Sequence, residues 1–423
     1  MTDIVKACTD DIARLVRIDS SQAKPLPGKP FGEGAAEALA LFLGLAEKFG
    51  FETKNYDNYA GEVIFGEGED LGVLCHLDVV PAGKGWTFPP FGGVIEGGKL
   101  YGRGTMDDKG PAVICLYCLK ALKEEGFRPK RRIRLIVGCN EESGWACIDH
   151  LKKCAALPRE GFSPDADFPA IYAEKGILQF ECAFPLPDAP FSALAAGERA
   201  NMVCERAEAV PCRAVACTEG VTAEDGKLVA RGKSAHASTP DEGVNALGLL
   251  LACFAQADAR VEEVYEVLFR DRAKLKEIAD FTGSLTFSPN VARYEGGILY
   301  VTVDVRCPAT VPYEKMCALP EKLGAPFRLL HCQRALCNDP SSFLLTALRR
   351  VYEQETGKDG TPLAIGGGTY ARALENGAGF GPQFPDEPST IHQKDEYISL
   401  ENIEKLLRIY TAALRALTAR DAV

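Results

Sequence analysis

The sequence predicts an α/β fold: a mostly parallel mixed sheet flanked by helices, with an α+β domain inserted into it. Three observations lead there. Strand-like and helix-like segments alternate through roughly the first 180 residues, the pattern of a largely parallel sheet. The middle of the chain turns to short strands with helical stretches between. Toward the C-terminus the first pattern returns. The expected division is residues 1–183 and 337–423 for one discontinuous domain and 184–336 for the insertion.

Each element has a local reason. In "MTDIVKACTDDIARLV" the apolar residues Ile4, Val5, Ile12, Leu15 and Val16 suit an amphipathic helix. Acids interrupt this segment, so it does not read as a signal peptide. "AEALALFLGLAEKFG" reads as a helix ending at Gly50, "LGVLCHLDV" as a short buried strand, and "KLYGRG" as a strand closing in a glycine turn. "GPAVICLYCLKALKEEG" is apolar nearly all round, as a deeply buried helix would be, and Gly126 suits its end. "RRIRLIVGCN" is the next strand, followed by a helix expected to carry Trp145, Ile148 and Leu151. In the insertion, "KLVARGKS" and "GILYVTVDVR" read as strands. After it, "TALRRVYEQETG" is a helix and "TPLAIGGGTYAR" a strand running into a glycine-rich turn. The last helix places Ile403, Leu406, Leu407, Tyr410, Leu414 and Leu417 on one face.

Composition narrows the classes of function. The 423 residues are 46% hydrophobic and 25% charged, with net charge -11. That acidity argues against nucleic acid as a partner and favours a cytoplasmic protein. The longest apolar run, Ala112 to Leu119, is too short to span a bilayer. The 16 cysteines are scattered through apolar segments and read as reduced core residues. Cys115 and Cys118 form a C-x-x-C inside an apolar helix, where two small buried residues are expected rather than a redox pair.

Polar residues at strand ends point to chemistry. His76 closes an apolar strand, with Asp78 two residues on. Ligands of α/β folds sit beyond the carboxyl ends of the strands. Asp107 and Asp108 stand between glycines in "GRGTMDDKG", where they suit either a helix cap or a bridging ligand. Glu141 and Glu142 follow "IRLIVGCN", "GFSPDADFP" offers Asp165 and Asp167, and "STIHQKDEY" offers His392. Nitrogen and oxygen donors without thiolate suit zinc, manganese or cobalt, here as a pair of ions around a shared carboxylate.

Taken in order, "HLDVVPAGKGW", "GRGTMDDKGP", "NEES", "GFSPDADFP", "HAS", "IGGGTYAR" and "IHQ" resemble the dizinc aminoacylase, carboxypeptidase and dipeptidase family of metallopeptidases. The bacterial dipeptidase V branch is the one the chain looks most like. The resemblance implies two divalent ions, zinc first, with manganese or cobalt as alternatives. It makes Asp107 the bridging ligand, His76 and Asp165 ligands of one ion, and Glu142 and His392 ligands of the other. Asp78 would orient His76, and Glu141 would be the general base. A cis peptide is implied between Asp107 and Asp108.

The same resemblance makes the insertion a lid. In it His236, from "KSAHASTP", would stabilise the oxyanion, and Asn201 and Arg306 would hold the substrate. Backbone groups of the turn at Gly367, Gly368 and Tyr370 would help bind a substrate carboxylate. The implied reaction is metal-dependent hydrolysis of dipeptides with a free C-terminal carboxylate. Hydrolysis of N-acyl amino acids or a related amide is the alternative, and a non-catalytic metal-binding relative a further one. The stretch from His236 to Arg306 is shorter than that branch leads one to expect, which leaves monomer and homodimer open. Lys394, beside His392, has no assigned role.

Overall fold

The structure is a computed structural model that describes residues 3–419. They form two compact units. The first comprises the residues up to 172, 338–363 and those from 369 onward; the second comprises 173–337 with 364–368.

The first unit is built on a mixed sheet. Its strands run, side by side, Glu52–Tyr56, Ala60–Phe65, Arg132–Gly138, Asp70–His76, Glu160–Ser163, Asn376–Gly379 and the strand beginning at Ile171. The four central strands are parallel. The outer pairs are antiparallel. Asp70–His76 and Arg132–Gly138 are buried along nearly their whole length, on both faces, as central parallel strands are. The Glu52–Phe65 hairpin escapes a hydrophobicity reading, because "ETKNY" is polar and largely exposed. It turns through Asp57 and Asn58, both in left-handed backbone (φ 53° and 59°). A turn this short can only join antiparallel strands.

The helix Lys109–Glu124 is buried on nearly every side, as its composition predicts. It packs against the helices Asp3–Val16 and Leu400–Thr418 and rests on the central strands. Cys115 and Cys118 are buried, free thiols on it; Cys118 Sγ donates to the Leu407 carbonyl at 3.4 Å. The last helix buries the apolar face expected of it, and Ser399 caps it through the Asn402 N–H. "KLY" forms a strand, but in a separate three-stranded sheet with Val94–Glu96 and Tyr397–Ser399. Trp145 is not inside the following helix. It precedes Ala146–Cys154 with φ 65°, a conformation that ends one direction of chain before the helix begins.

The second unit is an α+β domain. Its large sheet has eight strands, all antiparallel, in the order 221–224, 227–231, 206–211, 191–196, 286–295, 298–307, 176–185, 327–333. The helices Ala246–Ala255 and Ala259–Phe269 pack together, and the first lies on the sheet. Gly176–Pro185 belongs wholly to this sheet, so the chain crosses into the second unit at 172/173, ahead of the expected 183/184. Among the described residues no helix is long and apolar enough to cross a membrane.

Candidate metal centre

Three adjacent parallel strands of the first unit deliver acids and a histidine to the same sheet edge. His76 ends the middle strand. Glu141 and Glu142 follow the neighbour on one side, and Asp165 follows the neighbour on the other. Asp107 arrives from the turn before the buried helix, across a cis peptide to Asp108. His392 comes from a late loop, in left-handed backbone (φ 62°).

The five residues expected as ligands meet there. The two oxygens of Asp107 face different histidines. Oδ1 lies 2.9 Å from His76 Nε2, and Oδ2 lies 2.8 Å from His392 Nε2. Asp165 Oδ2 is 3.7 Å from His76 Nε2, and Glu142 Oε1 is 2.9 Å from His392 Nε2. The residues thus fall into two halves that share one carboxylate.

A cation fits this donor set better than protein atoms alone do. His76 Nδ1 lies 3.0 Å from the Asp78 carbonyl, which can only accept, so Nδ1 carries the proton. In the neutral ring the Nε2 lone pair then faces a carboxylate oxygen. Both His76 Nε2 and Asp107 Oδ1 are buried without a hydrogen-bond partner, despite their separation of 2.9 Å. Two acceptors aimed at each other need a proton or a metal cation between them. Asp78, Asp107, Glu141, Glu142 and Asp165 add to the demand. Like charges ~4 Å apart repel by about 4 kcal/mol at an effective dielectric of ~20.

The ionisation of the cluster reflects this crowding. Burial pushes Glu142 up to about 7, with the Asp107 charge adding and His392 opposing. Burial likewise raises Glu141, against the pull of His76. Burial opposes protonation of His76, but Asp107, Asp165 and Asp78 outweigh it and hold the imidazole well above its ordinary range. The shifts follow from packing several carboxylates and two imidazoles into one buried place, a pattern common at functional sites.

Surrounding groups fix the donors. The Asp78 carboxylate accepts the backbone N–H groups of both Glu141 (2.9 Å) and Glu142 (3.0 Å). It sits 3.6 Å from His76 Nδ1, so it is the Asp78 carbonyl, and not the expected carboxylate, that holds the ring most closely. The Trp145 indole donates to Glu141 Oε1 at 3.0 Å. Asp108 Oδ2 accepts the His76 N–H at 3.1 Å.

Glu396 was missed by the sequence reading. Its buried carboxylate accepts from the backbone of Gly104 and Met106 and from Arg103 Nη1, and so ties down the turn that carries Asp107. The one signal for it is a charged residue four positions after His392, directly before a strand.

His236, Asn201, Arg306, Gly367 and Gly368 belong to the second unit. His236 and Asn201 are exposed neighbours: Met202 bridges His236, and the Ala237 N–H donates to the Asn201 carbonyl. The Ser238 N–H donates to His236 Nδ1 at 3.2 Å, so the neutral ring carries its proton on Nε2. Arg306 is buried and already grips Asp304 through Nε (2.7 Å) and Nη2 (3.2 Å). Tyr370 is expected to act through its backbone, and its side chain packs inward. It is fully buried in the first unit, with its hydroxyl 3.0 Å from Cys147 Sγ and its ring edge-on to Trp145. The aromatic ring gains more from that core than from a solvent-facing turn.

The chain matches known proteins over most of its length. The model of the family described as Peptidase family M20/M25/M40 matches residues 72–416. The Bacillus subtilis (strain 168) protein YtjP is 37% identical, over 96% of each chain. The Beta-Ala-Xaa dipeptidase of Lactobacillus delbrueckii subsp. lactis is 34% identical, over 97% of this chain and 96% of its own. Among solved structures, the di-peptidase Dug1p of Saccharomyces cerevisiae has the same fold, with a TM-score of 0.63 at 14% identity, covering 99% of this chain and 97% of that one. Full-length agreement with relatives above 30% identity, together with the family match, decides the assignment: this chain is a member of peptidase family M20/M25/M40, a metal-dependent family of peptidases.

Proposed function

We propose that the protein hydrolyses the peptide bond of dipeptides with a free C-terminal carboxylate, using two divalent ions, zinc in the first instance. The observation that carries this reading is Asp107, whose two oxygens each meet a different histidine. In this reading Asp107 is shared, His76 and Asp165 hold one ion, and Glu142 and His392 hold the other. The relatives named as dipeptidases support the substrate class.

When bound, the ions supply Lewis acidity, polarising the scissile carbonyl and bringing a water's pKa toward neutrality. A Glu141 carboxylate oxygen takes the proton of the attacking water and returns it to the leaving nitrogen. Asp78 holds Glu141 in place through its backbone N–H, and Trp145 holds its side chain. The second unit serves as a lid. His236, with its proton on Nε2, donates to the developing oxyanion. Asn201, the free edge of the Arg306 guanidinium and the backbone at Gly367 and Gly368 receive the substrate and its carboxylate.

A substrate panel tests the reading. Purified protein supplied with zinc, manganese or cobalt is expected to cleave dipeptides, with little turnover of C-terminally amidated analogues. Cleavage of N-acetyl amino acids with no dipeptide cleaved would replace it by the amidohydrolase reading.

A further inference from the structure

A second set of donor atoms lies on the surface of the first unit, outside the centre described above. His150 Nε2 is 2.9 Å from Asp57 Oδ2 and 3.5 Å from Cys154 Sγ. One ligand atom from each of the three falls within 4.8 Å of the others. His150 and Cys154 are one turn apart on the helix Ala146–Cys154 and so share a face. Asp57 comes from the hairpin turn between Glu52–Tyr56 and Ala60–Phe65.

The arrangement is held from several sides. Asn55 and Asn58 exchange hydrogen bonds across the turn, Asn58 N–H to Asn55 Oδ1 at 2.8 Å and Asn55 Nδ2 to Asn58 Oδ1 at 2.9 Å. The His150 ring stacks on Tyr59, with centroids 4.0 Å apart and planes 15° from parallel. The ring is therefore oriented before any ligand arrives, which reduces the ordering cost of binding.

We propose that Asp57, His150 and Cys154 form a surface site for a thiophilic divalent ion such as zinc, with solvent completing the coordination. Nitrogen, oxygen and sulfur donors plus one open position are within zinc's ordinary repertoire, and a thiolate disfavours magnesium and calcium. Zinc bonds of about 2.0–2.3 Å place tetrahedral donors roughly 3.3–3.6 Å apart. The His150–Cys154 separation already meets this, and the exposed Asp57 carboxylate withdraws from His150 by a few tenths of an ångström. Binding releases the thiol proton and leaves the imidazole neutral. An ion here joins the helix to the hairpin. That helix begins directly after Trp145, whose indole holds Glu141.

Cobalt separates this site from the other centre, because His76, Asp107, Glu142, Asp165 and His392 include no sulfur. Titrating the full-length chain with Co2+ is expected to give a near-ultraviolet thiolate-to-cobalt charge-transfer band. The band should vanish in Cys154→Ser and need about tenfold or more Co2+ in His150→Asn, a typical scale for weakening a metal site. Absence of the band from the parent chain overturns the proposal. So does its survival in Cys154→Ser, or an unchanged titration in His150→Asn, which would mark a lone thiol. Mass-mapped alkylation of the parent chain reads the same site without a variant. Zinc must protect Cys154 while the exposed Cys212, Cys217 and Cys337 stay reactive, and equal reactivity of Cys154 with and without zinc counts against the site.

Discussion

Asp78 touches the candidate centre in three places. Its carboxylate receives the N–H of Glu141 and of Glu142, and its carbonyl receives the proton of His76. Two adjacent acids can therefore face one centre, because the turn that carries them is tied down at both residues. The division of labour between them is testable. Glu141→Gln keeps the shape and removes the base. It is expected to lower kcat by roughly 10²–10⁴, the usual contribution of a general acid–base, with metal content unchanged by elemental analysis. Full turnover in that variant would remove Glu141 from its role. At this scale much was legible. His76, Asp107, Glu142, Asp165 and His392 each stand out as a polar residue at a strand end or in a turn. Glu396 and Trp145 were not legible, since their part depends on which loop folds over which. That the Tyr370 ring enters the core was not legible either, because "GGGTY" is the composition of a turn.

Among the elements, the strand Asp70–His76 sets the position of the centre, and its partner strand is keyed to it electrostatically. Asp70 accepts from Arg132 Nε at 2.6 Å and from Arg134 Nη1 at 2.8 Å. Burial alone would raise the Asp70 pKa, but the two guanidinium groups outweigh it and hold it below the ordinary aspartate range. The sign follows from linkage. A depressed carboxylate contributes stability above its unfolded pKa of ~3.9, and that contribution fades as pH falls through the folded value. Asp70→Asn is expected to lose about 1–2 kcal/mol at neutral pH, the scale of charge-assisted hydrogen bonds after allowance for solvent. Denaturant titrations at several pH values should show the gap between variant and parent closing below about pH 4. A gap independent of pH would mean that the pairs contribute only through shape. The central strands and the long helices were legible because their apolar patterns are unbroken. The Glu52–Phe65 hairpin was not, since its outer strand is held by backbone pairing rather than by burial.

Across the whole molecule, the return of α/β pattern after the middle of the chain was readable, because the succession of strand-like and helix-like segments changes there. The points of crossing were not. Gly176–Pro185 alternates buried and part-buried positions and would suit either sheet by pattern alone. The candidate centre also links chemistry to stability. A ligand present at 100 times its Kd stabilises the folded form by about 2.7 kcal/mol. Removing divalent ions with a chelator is therefore expected to abolish turnover and lower Tm together, and restoring zinc should recover both. Loss of turnover with no change in Tm would mean that the ions contribute nothing to folding.

The groups that meet at Asp107 are drawn from residue 76 through to residue 392. A ribosome must deliver every residue between these two before His392 can reach its partners. A growing chain, or one terminated before residue 392, therefore lacks the complete cluster, and the cell meets this hydrolytic machinery only after that point.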